Sequence, residues 1–157
     1  MKNQKIEWDA GSSAAANARA RLPGWARAYF LCGRKLAQAA APPPVMHRFR
    51  LDTKAFRYTL ELFRPCYGPG LELRLAAMRK IQDFLGAISD YATTKGLISS
   101  RLPEDSPDRL RMERYLDGRS RRKAAEFRRY WQTTFDRPGE ERRWLNYLSR
   151  PRLPRDL

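Results

Sequence analysis

The chain has 157 residues, which suffice for one folded domain, and its formal net charge of +15 implies an acidic partner. Arginine supplies 25 of the 32 basic residues, which suits bidentate phosphate contacts but would also follow from an arginine-rich proteome. One histidine and two cysteines disfavour a zinc site, and the lack of any long apolar run disfavours a membrane span or a secretory leader.

The N-terminal third of the chain predicts a polar arm followed by a helix. Residues 1–21 are polar and rich in small side chains, which is typical of a weakly ordered segment, with a helical turn near Ala14–Ala20 as a further expectation. A first helix is predicted to begin at Pro23, because proline suits the first turn of a helix. The prolines at 42–44 are predicted to follow its end, because proline cannot continue a helix.

Further helices are predicted over residues 45–63, 71–95 and 107–135, with a short last helix over 139–149 and a loose tail over 151–157. Gly96 is predicted to cap the third helix, Ser106 to cap the start of the fourth, and Gly118 to interrupt it. No segment alternates between apolar and polar residues as a strand would. The fold class is therefore all-α, an antiparallel four-helix bundle over residues 22–150.

The second predicted helix carries a line of basic residues on one face. The line consists of His47, Arg50, Lys54 and Arg57. Their spacing places the four side chains within about 80° of one another at 100° per residue. At 1.5 Å per residue the line is about 15 Å long, which suits an extended chain of phosphates better than a compact anion. Glu61, one turn further on, offsets part of the repulsion between these charges.

Apolar residues flank this basic line on both sides. Met46, Phe49, Phe56, Leu60 and Phe63 lie on one side, and Leu51, Tyr58 and Leu62 lie on the other. Charges between two buried flanks are expected to lie in a groove, where partial desolvation strengthens their attraction to an anion. The alternative is a solvated charged face with Glu61 as its internal partner. His47 either donates to phosphate or packs at the helix start, and it has no partners for a catalytic triad.

Two motifs follow one another in the sequence. They read H-x-x-R-x-x-x-K-x-x-R-Y from His47 to Tyr58, and I-Q-D-x-L-G-x-x-x-D from Ile81 to Asp90. Together they resemble the CHAD domain, the conserved-histidine α-helical domain, whose second motif has leucine at the position of Ile81. The resemblance covers about residues 45–97. It implies a helical bundle that binds inorganic polyphosphate without catalysis or a cofactor.

The resemblance also implies roles for individual residues. The ligand-binding candidates are His47, Arg50, Lys54 and Arg57, and the structural candidates are Tyr58, Glu61, Arg79, Asp83, Gly86 and Asp90. We expect Asp83 and Asp90 to pair with arginines and so orient them. Gly86 is expected to permit a close helix crossing.

Other basic residues are candidates to extend the phosphate path, or they are plain solvated surface. These are Arg34, Lys35, Arg122 and Arg129. Typical family members contain two repeats with a basic channel between them, whereas this chain has one motif pair. Two chains are therefore predicted to form a homodimer that rebuilds the channel, with a single bundle and an open basic face as the alternative.

The alternative function is nucleic-acid binding, which the charge permits although no helix-turn-helix or zinc-finger pattern is evident. An enzyme of phosphate metabolism is disfavoured, because the chain has neither a P-loop motif nor an E-x-E-x-K motif. The expected location is the cytoplasm, with polyphosphate granules as a candidate site. Cys32 and Cys66 are expected to be free thiols, with a disulfide as the alternative.

Overall fold

The computed structural model describes residues 7–38 and 41–151. Within these ranges the protein is all-α, which confirms the predicted fold class, and no described residue belongs to a strand. The helices are α1 (Ala14–Gln38), α2 (Pro43–Leu62), α3 (Gly70–Arg101), α4 (Pro107–Tyr130) and α5 (Glu140–Leu148). A 3-10 turn, Arg64–Cys66, links α2 to α3, and a π-helical turn, Trp131–Phe135, extends α4. No described helix is both long enough and apolar enough to span a bilayer.

Helix α1 begins at Ala14, so the predicted start at Pro23 is wrong, and Pro23 lies inside the helix. Alanine has the highest helix propensity of the common residues, and Ala15 and Ala18 are buried against the core. Part of the segment predicted as an arm is therefore packed helix. Helix α2 begins at Pro43, within the proline run that was expected only to end α1.

Helix α3 is longer than predicted, and α4 is continuous where an interruption was predicted. Helix α3 continues through Gly96, which was expected to cap it, and α4 passes through Gly118 without interruption. The two helices pack against each other, and Lys95 Nζ lies 2.8 Å from Asp117 Oδ1 across their interface. Each helix-interior glycine costs about 1 kcal/mol relative to alanine, and the two helices nevertheless stay continuous where they pack against each other. The predicted cap at Ser106 is confirmed, since its Oγ accepts a hydrogen bond from the backbone N–H of Arg109.

An aromatic cluster forms the centre of the core and joins α1, α2, α5 and the π-helical turn. Trp131 is 1% exposed and contacts rings of three helices, Tyr29 and Phe30 of α1, Phe49 of α2 and Phe127 of α4. The hydroxyl of Tyr29 hydrogen-bonds the buried Thr53 at 3.0 Å. Burial raises the pKa of Tyr29 far above its usual value, so this phenol stays neutral.

The two cysteines are unpaired, as the sequence led us to expect. Cys66 is buried and Cys32 is partly buried. Burial raises the pKa of the Cys66 thiol, because desolvation disfavours the thiolate. Cys66 is therefore a packed apolar side chain of the turn between α2 and α3.

Helices α2 and α3 lie antiparallel and side by side. Arg57 Nε donates to Gln82 Oε1 at 2.9 Å, and Arg79 Nη2 lies 3.5 Å from Glu61 Oε1. The register of these contacts brings the start of α2 beside the later turns of α3. His47 accordingly lines a cavity of about 430 Å³ together with α3 residues as far along as Thr93.

Candidate functional site

The predicted basic line lies along the seam between α2 and α3. His47 is exposed, and Arg50, Lys54 and Arg57 are partly buried. The neighbouring face of α2 carries Met46, Phe49, Phe56 and Leu60, all of which are buried in the core. Core packing of this apolar face fixes the rotation of α2, so that the basic line points toward the edge of α3.

The expected second flank is wrong. Leu51, Tyr58 and Leu62 are 44%, 50% and 78% exposed, so they do not form a buried wall. No described element covers that side of α2, because α3 packs on the opposite edge of the basic line. The groove therefore has α3 as one wall and is open on the side of this exposed apolar strip, defined as Leu51, Tyr58 and Leu62.

Arg57 is held in place by contacts within the protein. Its Nη1 lies 2.5 Å from Glu61 Oε1, and its guanidinium lies 4.4 Å above the ring of Tyr58. Together with the hydrogen bond to Gln82, these contacts fix the orientation of the side chain. Glu61 also faces Arg79, so one carboxylate serves two arginines and this end of the line keeps a positive charge.

The other three members of the line have no such partners. The side chains of His47, Arg50 and Lys54 form no ion pair with any residue in 7–38 or 41–151. Four shielded side-chain nitrogens in these ranges lack a hydrogen-bond acceptor, and Arg50 Nε is the one on this face. An unsatisfied buried donor costs about 1–3 kcal/mol, and more when it is charged. Arg50 therefore keeps hydrogen-bonding capacity that the described part of the protein does not use.

The motif residues on α3 behave differently from the prediction. Asp83 and Asp90 are exposed, and neither forms an ion pair within the described part of the chain, so the expected pairing with arginines is not formed. Arg79 pairs with Glu61 instead. A Cβ atom at Gly86 would meet nothing within 4 Å, so the expected close helix crossing at this glycine is also wrong.

Arg34 lies away from the basic line. Its Nε is 2.6 Å from Asp136 Oδ2, and its Nη2 is 2.5 Å from Glu141 Oε2. The hydrogen bond to Asp136, with that to Glu141, raises the pKa of Arg34 above its ordinary value despite partial burial. This arginine ties α1 to the start of α5, and the structure does not bring it to the α2 face. Lys35, its neighbour, is exposed.

The α4 candidates Arg122 and Arg129 are exposed, whereas Arg121 and Arg128 line a cavity of about 280 Å³. Met46 of α2 and Ala124 of α4 share that cavity, so it adjoins the first turns of α2. Arg122 and Arg129 remain predicted contacts, and Arg121 and Arg128 are the α4 arginines that share a cavity with the first turns of α2.

The arrangement provides a groove with a basic wall and no catalytic constellation among the described residues. No three side chains of His, Cys, Asp or Glu within those residues converge as metal ligands. The surplus positive charge, the orphaned Arg50 donor and the extended shape of the line are suited to holding a linear anion.

Comparison with protein-family models matches residues 4–99 to the CHAD domain. The matched span includes α1, α2 and most of α3, and therefore both motifs. No curated protein and no solved structure matches the chain. The matched span exceeds half of the 157 residues and contains the basic line with its α3 wall. The chain belongs to the CHAD domain family.

Proposed function

We propose that this protein binds inorganic polyphosphate, without catalysis, in the groove between α2 and α3. The proposed ligand contacts are His47, Arg50, Lys54 and Arg57. The observation that carries the proposal is that three of these four basic side chains form no ion pair with a described residue and that Arg50 Nε finds no acceptor among those residues. Membership of the CHAD family supports the choice of ligand, because the family resemblance implies polyphosphate binding through these positions.

The geometry of the line favours a linear ligand over a compact one. The four side chains span about 15 Å along the helix axis, whereas a single phosphate would engage only one or two of them. Each phosphate of a bound chain would release condensed counterions from the ligand, so the affinity should fall steeply as salt is added. Arg57, fixed by Glu61 and Gln82, would mark one end of the path.

The experiment compares the parent protein with two triple variants of equal net charge. One carries Arg50→Gln, Lys54→Gln and Arg57→Gln, and a matched control carries three changes at exposed arginines off the groove, Arg19→Gln, Arg101→Gln and Arg142→Gln. Titration with long-chain polyphosphate at fixed salt should show that the groove variant binds at least tenfold more weakly than the parent. The control variant should bind only slightly more weakly than the parent. Equal affinities of the two triple variants for polyphosphate would refute the proposal.

Nucleic acid is the alternative ligand that the net charge of +15 allows. Competition between duplex DNA or RNA and polyphosphate at equal phosphate concentration separates the two. We expect neither duplex to displace polyphosphate, because a double helix cannot enter a seam between packed helices whose axes lie about 8–10 Å apart. Efficient displacement by a duplex would make nucleic acid the better assignment.

The homodimer also belongs to this proposal. One motif pair in place of two, together with the exposed apolar strip beside the basic line, supports a twofold association that brings two basic faces together. The expected mass in analytical ultracentrifugation is that of a dimer, at least when polyphosphate is present, and Leu62→Gln should reduce the dimer fraction. A monomer under all these conditions would leave the single open face as the binding unit. The proposed location is the cytoplasm, including polyphosphate granules.

A further inference from the structure

Gly86 is a helix-interior glycine that the protein's own packing does not require. A Cβ atom at this position would have no neighbour within 4 Å, and the same holds for Gly96 on the same helix. Glycine lowers the stability of a helix interior relative to alanine, so such a residue is unfavourable unless something else uses the space. Gly86 differs from Gly96 in its surroundings, because Gly86 is half-buried and Gly96 is exposed.

The register of α2 and α3 places this space in the groove. Gln82, which accepts the hydrogen bond from Arg57, lies one turn before Gly86 on the same face of α3. Because the helices are antiparallel, the turn of α2 that precedes Arg57 faces Gly86. That turn carries Lys54. One turn further along α3, Ser89 lines the cavity that His47 also lines. Gly86 therefore lies between the two ends of the basic line.

We propose that Gly86 is a steric specificity determinant of the groove: its missing side chain leaves the space in which a narrow, unbranched phosphate chain runs alongside α3 between Arg57 and His47. This inference rests on the proposed function and assigns a role to the α3 wall. The contribution is steric, because the backbone N–H groups in the middle of α3 are already hydrogen-bonded within the helix. A side chain at this position would occupy the path without removing any positive charge.

The test uses Gly86→Gln with Gly96→Gln as its matched control. Glutamine is a good helix former and adds no charge, and neither position has a neighbour that the new Cβ would strike. Both variants should unfold at or above the temperature of the parent. Gly86→Gln should bind long-chain polyphosphate at least tenfold more weakly, Gly86→Ala should show a smaller loss, and Gly96→Gln should bind like the parent.

Several results would overturn the inference, and they differ from those that overturn the proposed function. If Gly86→Gln and Gly86→Ala bind like the parent while the groove triple variant has lost binding, the function stands and the role of Gly86 is refuted. If Gly86→Gln is unfolded or Gly86→Ala is less stable than the parent, the open space itself is refuted. If the parent does not bind polyphosphate, or the groove triple variant binds normally, the proposed function fails first.

Discussion

At the scale of single residues, Glu61 controls how much positive charge the groove keeps. Its carboxylate contacts Arg57 at 2.5 Å and Arg79 at 3.5 Å, and it is the only acidic side chain in ion-pair contact with the basic line among the described residues. It therefore acts in two opposing ways, since it orients Arg57 and also neutralises part of the charge that attracts an anion. The contacts to Gln82 and Tyr58 keep Arg57 oriented even without the carboxylate.

Glu61→Gln should consequently strengthen polyphosphate binding by about two- to fivefold at low salt, because the groove gains one net positive charge. Stability should fall by about 0.5–1 kcal/mol, the usual worth of a partly exposed ion pair, as measured by urea unfolding. Glu72→Gln is the matched control, since Glu72 pairs with Arg64 at 2.8 Å away from the groove. A weaker affinity for Glu61→Gln than for Glu72→Gln would mean that orientation by the carboxylate outweighs its charge.

At the scale of secondary-structure elements, the contact between α1 and the π-helical turn determines the packing of the core. A Cβ atom on Gly33 of α1 would lie 2.0 Å from Cη2 of Trp131, closer than any real contact. Trp131 in turn packs its edge and face against rings of α1 and α2, which couples the backbone position of α1 to that of α2. The orientation of the basic line therefore depends on a glycine of another helix.

Gly33→Ala should destabilise the protein by about 1–3 kcal/mol or more, because the indole must shift within a close-packed core. Gly24→Ala on the same helix is the control, since a Cβ there meets nothing within 4 Å and alanine improves helix propensity. Urea unfolding of the two variants should show a lower free energy of unfolding than the parent for Gly33→Ala and an equal or higher one for Gly24→Ala. A Gly33→Ala variant as stable as Gly24→Ala would contradict the packing described here.

The packing of the helices also explains which predictions were confirmed and which were wrong. The face of α2 that carries the basic line could be predicted, because residue spacing alone fixes which side chains share a helical face. The position of α3 could not be predicted, because the residues on the two sides of the basic line are similarly apolar. Only tertiary packing determines that Leu51 and Leu62 stay exposed. The start of α1 was missed because alanine-rich sequence carries a weak apolar signal, although Ala15 and Ala18 pack against the core.

Contacts between residues far apart in the sequence also could not be predicted. From its sequence neighbours, Arg34 would be predicted as a free surface cation. Its partners Asp136 and Glu141 follow α4, more than 100 residues later in the sequence. Arg121 and Arg128 lie in a cavity that residues of α1, α2 and α3 also line, a placement that depends on tertiary packing. Local spacing therefore predicts which residues share a face, and the fold decides which of those faces meet.

At the scale of the whole molecule, the net charge of +15 draws any polyanion toward the surface, and the groove is what would select a linear one. The arginines outside the groove raise affinity for all polyanions by about the same factor, because exposed charges act mainly through long-range attraction. In the proposed function, specificity comes from the α2 cations that form no ion pair with a described residue and from the α3 wall. Long-range attraction by the exposed arginines and direct contacts in the groove should differ in how strongly each depends on salt concentration.

The most direct test of the central claim is the affinity for long-chain polyphosphate measured across a range of salt concentrations. The groove triple variant and the control triple variant have the same net charge, so differences between them report on the groove alone. We expect the groove variant to bind at least tenfold more weakly and to show a shallower salt slope, because fewer phosphates are neutralised. Indistinguishable affinities and slopes for the two variants would contradict the account.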